Sequence, residues 1–267
     1  MVERITSSRV ETIRQQLSPM MNEIINHIET IRLLSTGQIL DLSGQRSPSQ
    51  ARSVRRSLST LTSWRVVGRL ERRVGGRQRG SDGYVYALDV VGQRLIDPQP
   101  RRQWRRPWTP TPRVLDHALA GSQFYTDLRI AERSGQLELI DYQAEPGCWQ
   151  DFTLPGGGPG QLRPDGLAVI GLGEFEHHWM IEIDRATESL PWIKTKAQTY
   201  QDYQQSGSYQ NRFGLFPLVI WLTPTEQRTK ALQELFERTS GIDPRIHRAL
   251  TQDQAITQLL EAFSNQP

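Results

Sequence analysis

Four side chains in the second half of the chain have the types and spacing to act on a phosphodiester. Arg163-Pro164-Asp165 carries one carboxylate, and Glu182-Ile183-Asp184 carries two more. In an extended segment, successive side chains alternate, so Glu182 and Asp184 share one face while Ile183 takes the other. Asp165 and Glu182 lie 17 residues apart, a separation that a hairpin closes. Carboxylates brought together repel unless a cation joins them. Mg²⁺ takes oxygen ligands and keeps several waters, and Mn²⁺ substitutes for it. Held between Asp165 and Glu182, such an ion would polarise a phosphodiester and lower the pKa of an attacking water. A nuclease of this kind also needs a fixed positive charge. In the following helix, Lys196 falls with Ile193, Ala197, Tyr200 and Tyr203 on the packed face, whereas Lys194 points away. The bland alternative for Lys196 is snorkelling past the aromatic face to solvent. Asp165, Glu182, Asp184 and Lys196 are the candidate catalytic set, with Asp165 and Glu182 as the metal ligands.

A second constellation is basic. Ser47-Pro48-Ser49-Gln50 is a capping box with proline at the first helical position, and the helix it opens should run to about Trp64. At ~100° per residue, Val54, Leu58 and Leu61 cluster on one face. Arg52, Arg56, Ser59 and Ser63 lie opposite them, with Arg55 alongside. The apolar face can pack on neighbouring helices, and the arginine face can enter a major groove, reading guanine edges or gripping phosphates.

The surrounding elements follow from periodicity. Met20–Leu34 repeats apolar residues at helical spacing, and Ser35-Thr36-Gly37-Gln38 starts a short helix through Leu42 with its own capping box. Val66–Val74 and Tyr84–Leu88 read as strands. Between them, residues 75–83 form a Gly-rich tip carrying Arg77 and Arg79, the shape of a wing that touches phosphate or minor groove. Three helices and a hairpin in this order predict a winged helix over residues 1–97. A winged helix used for protein contacts is the alternative, though it has no need of arginines on both helix and tip. Residues 98–112 are rich in proline and arginine and read as a linker, either solvated or lying along the DNA backbone. Residues 113–267 alternate helix, strands, helix, strand and helix, an α/β pattern with a mixed sheet. The predicted whole is α+β.

The charge follows the same division. Residues 1–107 hold 19 Arg, no Lys and 9 acidic residues, a net +10. Residues 108–267 hold 13 basic and 20 acidic residues, a net −7, and so the total of +3 conceals a basic half. A basic half on an acidic partner points to a polyanion, here double-stranded DNA. One cysteine, Cys148, rules out a disulfide framework and a cysteine-based zinc site. No apolar run is long enough to span a bilayer and the N-terminus has no signal core, so a cytoplasmic protein without membrane partners is expected.

Lesser candidates have plainer readings. His177 and His178 are adjacent on a strand, face opposite ways, and do not chelate one ion together. His117 sits near the start of a helix, either on its surface or reaching the domain interface or nucleic acid. Asp127 and Glu132 lie on the helix before the first strand, where they are either solvated or an extra acid of the site. Glu188 is either a metal ligand or a charge at a helix N-terminus.

Taken together, Leu33-Leu34-Ser35-Thr36-Gly37-Gln38-Ile39-Leu40, Arg163-Pro164-Asp165, and the E-x-D-x-x-T-E-S run from Glu182 to Ser189 with Lys196 and Tyr200 resemble the replication-relaxation family of plasmid and mobile-element proteins. The resemblance spans roughly residues 20–235. It implies a role in replication, relaxation or mobilisation, with replication or mobilisation proteins, or a second copy of the chain, as partners. The second half also resembles the PD-(D/E)XK nuclease fold, with Pro164-Asp165 as the "PD" and Glu182 as the second acid. Where that pattern has a lysine two residues after the second acid, this chain has Asp184, so Lys196 would supply the charge from the helix. The expected function is a DNA-binding protein of a mobile element with a Mg²⁺-dependent nicking site. The competing expectation is a non-enzymatic regulator whose second domain holds partners.

Overall fold

The computed structural model describes residues 5–44, 47–70, 83–99, 107 and 110–264. The tip arginines Arg77 and Arg79 lie outside the described residues, as does most of the expected linker. The chain is α+β and divides into two compact units between Thr126 and Asp127.

The first unit opens with helix α1 (Ser7–Gln16) and helix α2 (Pro19–Ile31). Strand β1 (Leu34–Ser35) leads into α3 (Thr36–Leu42), whose capping box is complete: Ser35 Oγ accepts from the Gln38 N–H and Gln38 Oε1 from the Ser35 N–H. Helix α4 (Pro48–Ser63) keeps half of its expected box. Ser47 Oγ accepts from the Gln50 N–H, but the Gln50 amide donates instead to the Ser43 carbonyl at 2.9 Å, tying α4 to the end of α3. Strands β2 (Val67–Leu70) and β3 (Val85–Leu88) are antiparallel, and β1 joins them in the order β1-β3-β2. Helix α5 (Val90–Ile96) closes over β2, where Gly92 is required by close approach: a Cβ there would stand 2.2 Å from the Val66 carbonyl oxygen. The core is the apolar stripe of α2 (Ile24, Ile25, Ile28) against Val54, Leu58 and Leu61 of α4. These α4 residues are the face that angular counting at 100° per residue assigns to packing.

Helix α6 (Pro112–Arg133) contains the division between the units. The second unit then adds β4 (Glu138–Ala144), the hairpin β5 (Gln150–Thr153) and β6 (Pro159–Leu162), β7 (Gly166–Leu172) and β8 (Phe175–Ile183). Helix α7 (Leu190–Ser206), α8 (Ser208–Phe213), β9 (Leu218–Thr223), α9 (Glu226–Arg238), β10 (His247–Thr251) and α10 (Ala255–Ser264) follow. The sheet order is β10-β9-β8-β7-β4. Its β4-β7-β8 part is antiparallel, while β8, β9 and β10 run parallel through the crossover helices α7 and α9. The central parallel strands need apolar residues on both faces. Trp179–Ile181 of β8 and Val219–Leu222 of β9 supply them. Glu182 is an ionisable residue in that buried setting, at the C-terminal end of the central strand.

Candidate functional site

The arginine face of α4 is built as its spacing implies. Arg52, Arg55, Arg56 and Ser59 are exposed, while Val54, Leu58 and Leu61 are fully buried. Beside this face opens a groove of about 920 Å³. Its lining includes Thr36, Arg55, Ser59, Ser63, Arg69 and Tyr84. Arg69, on β2, stacks its guanidinium 3.9 Å from the Tyr84 ring centre. Tyr84 is itself fixed: its N–H donates to Thr36 Oγ1, and its carbonyl accepts from the Thr36 N–H and hydroxyl. Sequence reasoning does not find Arg69, Tyr84 and Thr36 as groove residues. The one available signal is Arg69 inside a strand pattern whose neighbours are apolar.

In the second unit, Glu182 is 2% exposed. Its Oε2 accepts the Lys196 ammonium, and its Oε1 accepts the Tyr200 hydroxyl at 2.5 Å. Asp165 brackets it from the neighbouring strand. The Asp165 N–H donates to the Ile181 carbonyl at 2.9 Å, and Asp165 Oδ2 accepts from the Ile183 N–H at 2.7 Å. The β7–β8 register pairs Gly166 with Ile181, so one step further sets Asp165 opposite Glu182. Helix α7 delivers the other groups because Ile193, Ala197, Tyr200 and Tyr203 bury one face of it. Lys196 lies at the margin of that face, four residues before Tyr200, where one turn aligns both with Glu182. Lys194 is exposed. Asp165, Glu182 and Lys196 are therefore neighbours.

Asp184 has other partners. Its Oδ2 accepts from Arg228 Nε at 2.5 Å and its Oδ1 from the Ala186 N–H at 2.8 Å. Arg228 Nη2 also donates to the Glu188 carbonyl at 2.8 Å. Strand β8 ends at Ile183, and the Asp184 N–H still donates to the Leu222 carbonyl of β9 at 2.9 Å. The Asp184 carboxylate clamps the turn that enters α7, where Ala186 has a left-handed φ of 55°. Among the described residues, no group of three or more His, Cys, Asp or Glu side chains stands ready to hold a metal ion.

The electrostatics follow from burial. Removal from water raises the Glu182 carboxyl from its ordinary 4.5 to about 7, the Lys196 ammonium offsetting part of the rise and the Asp165 charge adding to it. Burial opposes the Lys196 ammonium, yet the Glu182 and Asp165 carboxylates outweigh it and raise its pKa. Burial, with the Glu182 charge, raises the Tyr200 hydroxyl well above its usual value. A carboxyl that holds its proton more tightly when folded contributes its full stability below about pH 4.5. That contribution declines up to about pH 7 and is flat above. Glu182→Gln mimics the protonated form, so its urea midpoint should lack the decline between about pH 4.5 and 7 that the wild type shows. Parallel curves for the two proteins would refute a raised Glu182.

The lesser candidates have structural partners. Glu132 Oε1 accepts from the Leu139 N–H and Oε2 pairs with Arg129, so it fastens α6 to β4. His178 is buried, bonding Tyr209 and Glu176 at 2.7 Å each. His177 instead packs on Phe263, so the two histidines have separate surroundings. Cys148 donates to the Pro164 carbonyl, and burial pushes its thiol up to about 12, far from a reactive thiolate.

The fold and the site define a mixed α+β protein with an exposed arginine helix in one unit and, in the other, a buried glutamate flanked by half-buried Asp165 and Lys196. The replication-relaxation family model matches residues 25–219, and the chain belongs to that family. No match was found among curated proteins, and none among solved structures. Membership points to a role in the replication or relaxation of plasmid or mobile-element DNA. No helix among the described residues is long and apolar enough to cross a membrane.

Proposed function

We propose that this replication-relaxation protein docks on double-stranded DNA through α4 and acts on the bound DNA with the Asp165–Glu182–Lys196 site. The observation that carries the reading is the exposed Arg52-Arg55-Arg56 face bordering an open groove. Helices α2, α3 and α4 followed by β2 and β3 read as a winged helix, with α4 as its recognition helix and Arg69 on the wing side.

The second unit reads as a nuclease-like domain, because its β4-β7-β8-α7-β9 order sets one acid just before β7, another on the adjacent β8, and a lysine on the next helix. Its donor set suits Mg²⁺ or Mn²⁺ in kind: two hard carboxylates at opposed positions, with further ligands to come from water and phosphate. Each carboxylate oxygen has two lone pairs, so Glu182 can accept from Lys196 and Tyr200 and still ligate. Asp165 and Glu182 would hold the ion, whose chemistry is polarisation of the phosphodiester and acidification of a bound water. The chain's own groups do the rest. Lys196 keeps its proton beside Glu182 and presents positive charge to a phosphate. Tyr200 fixes the Glu182 rotamer. The Asp184–Arg228 clamp holds the turn that aims α7.

Supercoiled plasmid tests both parts on one gel. With EDTA, the protein should retard the plasmid, and the retardation should fade steeply as salt rises. With Mg²⁺ or Mn²⁺, the plasmid should convert to open circles, and Asp165→Ala and Glu182→Gln should abolish this. Retardation without nicking in either metal would move the protein to the regulator reading. No retardation would overturn the proposal itself.

A further inference from the structure

Two tryptophans, each paired with a cation, flank the Asp165–Glu182–Lys196 cluster. Trp192 stands in the first turn of α7 and is 45% exposed. The Lys196 ammonium lies 5.3 Å from its ring centre while also bonding Glu182. Exposed indole, lysine and buried carboxylate thus form one continuous path inward. On the Asp165 side, the Arg163 guanidinium lies 4.7 Å from the Trp149 ring centre. Arg163 is two residues before Asp165, and Trp149 follows Cys148, whose thiol is bonded to the Pro164 carbonyl. The β5–β6 hairpin that this second pair flanks packs on α7.

An indole exposed on one side with a cation on the other suits one ligand chemistry. Its face stacks a planar aromatic group, and the cation meets an anion one bond network away. A nucleobase with its phosphate has both features. Bases inside a duplex are already stacked on each other, so only an unpaired strand can offer one. Resting on the reading that this site faces DNA, we infer that Trp192 and Arg163 form the mouth of the site and bind an unpaired DNA strand by base stacking and phosphate contact. The substrate of the second unit is then a melted or single-stranded segment, whereas α4 takes the duplex.

The test uses the full chain carrying Arg52→Ala, Arg55→Ala and Arg56→Ala together, so that α4 contributes little. Anisotropy of a fluorescein-labelled oligothymidylate of about 15 nucleotides should report binding, weakened on the order of tenfold by Trp192→Ala, less so by Arg163→Ala, and largely retained in Trp192→Phe. An abasic oligomer of equal length should bind the parent as weakly as the oligothymidylate binds Trp192→Ala. Trp192→Ala binding as tightly as its parent, or abasic and thymidylate strands binding alike, overturns the inference. Failure of the nicking reading shows differently: plasmid stays uncut in Mg²⁺ while the Trp192-dependent oligomer binding persists.

Discussion

Replacing Arg52, Arg55 and Arg56 by alanine together should weaken duplex binding by at least the order of a hundredfold at moderate salt, since each well-placed arginine contact is worth about 1–3 kcal/mol. The same variant should reduce the slope of log affinity against log salt by about 1 for each phosphate that an arginine no longer neutralises. The fold should not suffer, because all three side chains are exposed while Val54, Leu58 and Leu61 carry the packing of α4. Arg238→Ala is the single-charge control: this exposed arginine pairs only loosely with Glu234 at 3.6 Å, and its removal should leave affinity unchanged. Fluorescence anisotropy on a labelled duplex across a salt series measures both quantities. An unchanged affinity and slope in the triple variant would remove α4 as the docking element. A fall of the same size in Arg238→Ala would reduce the effect to net charge.

The legibility of α4 has a physical basis. A helix start is a local event, so Ser47-Pro48 and Ser35-Thr36-Gly37-Gln38 announce it within four residues, and angular counting then sorts arginines from core. The same locality makes α7 readable: the Ile193-Ala197-Tyr200 stripe places Lys196 at its margin, and Lys196 indeed meets Glu182. Elements whose existence depends on distant partners are not legible. Strand β1 is two residues long and exists because β3 pairs with it. Helices α1 and α5 carry few buried side chains of their own and pack on each other. Strand β10 is fixed by pairing with β9. Within the site, alternation assigns Glu182 and Asp184 to one face but does not say which partner each side chain takes. The strand ends at Ile183, and Asp184 finds Arg228, 44 residues later in the chain, which nothing local could signal.

That distant partner carries the larger expected effect on folding. Arg228→Ala should destabilise the second unit by about 3–5 kcal/mol, the usual cost of leaving one member of a buried pair uncompensated. The Asp184 side chain is only 1% exposed and that of Arg228 14%, so solvent cannot take over the role of the missing guanidinium. The variant also removes the donor to the Glu188 carbonyl, loosening the turn that ends at Ser189, the N-cap of α7. Calorimetry should show the transition of the second unit falling by on the order of 10 °C. The double variant Asp184→Leu with Arg228→Met replaces the pair with apolar groups of comparable size and should recover much of the stability, since a buried ion pair exchanged whole is often near neutral. A double-mutant cycle gives the coupling between the two residues. If Arg228→Ala melts as the wild type does, Asp184 is solvated in solution and is available to the site as a third carboxylate. If instead the double variant regains stability but no longer nicks plasmid, the pair acts on chemistry through the aim of α7, which sets Lys196 against Glu182.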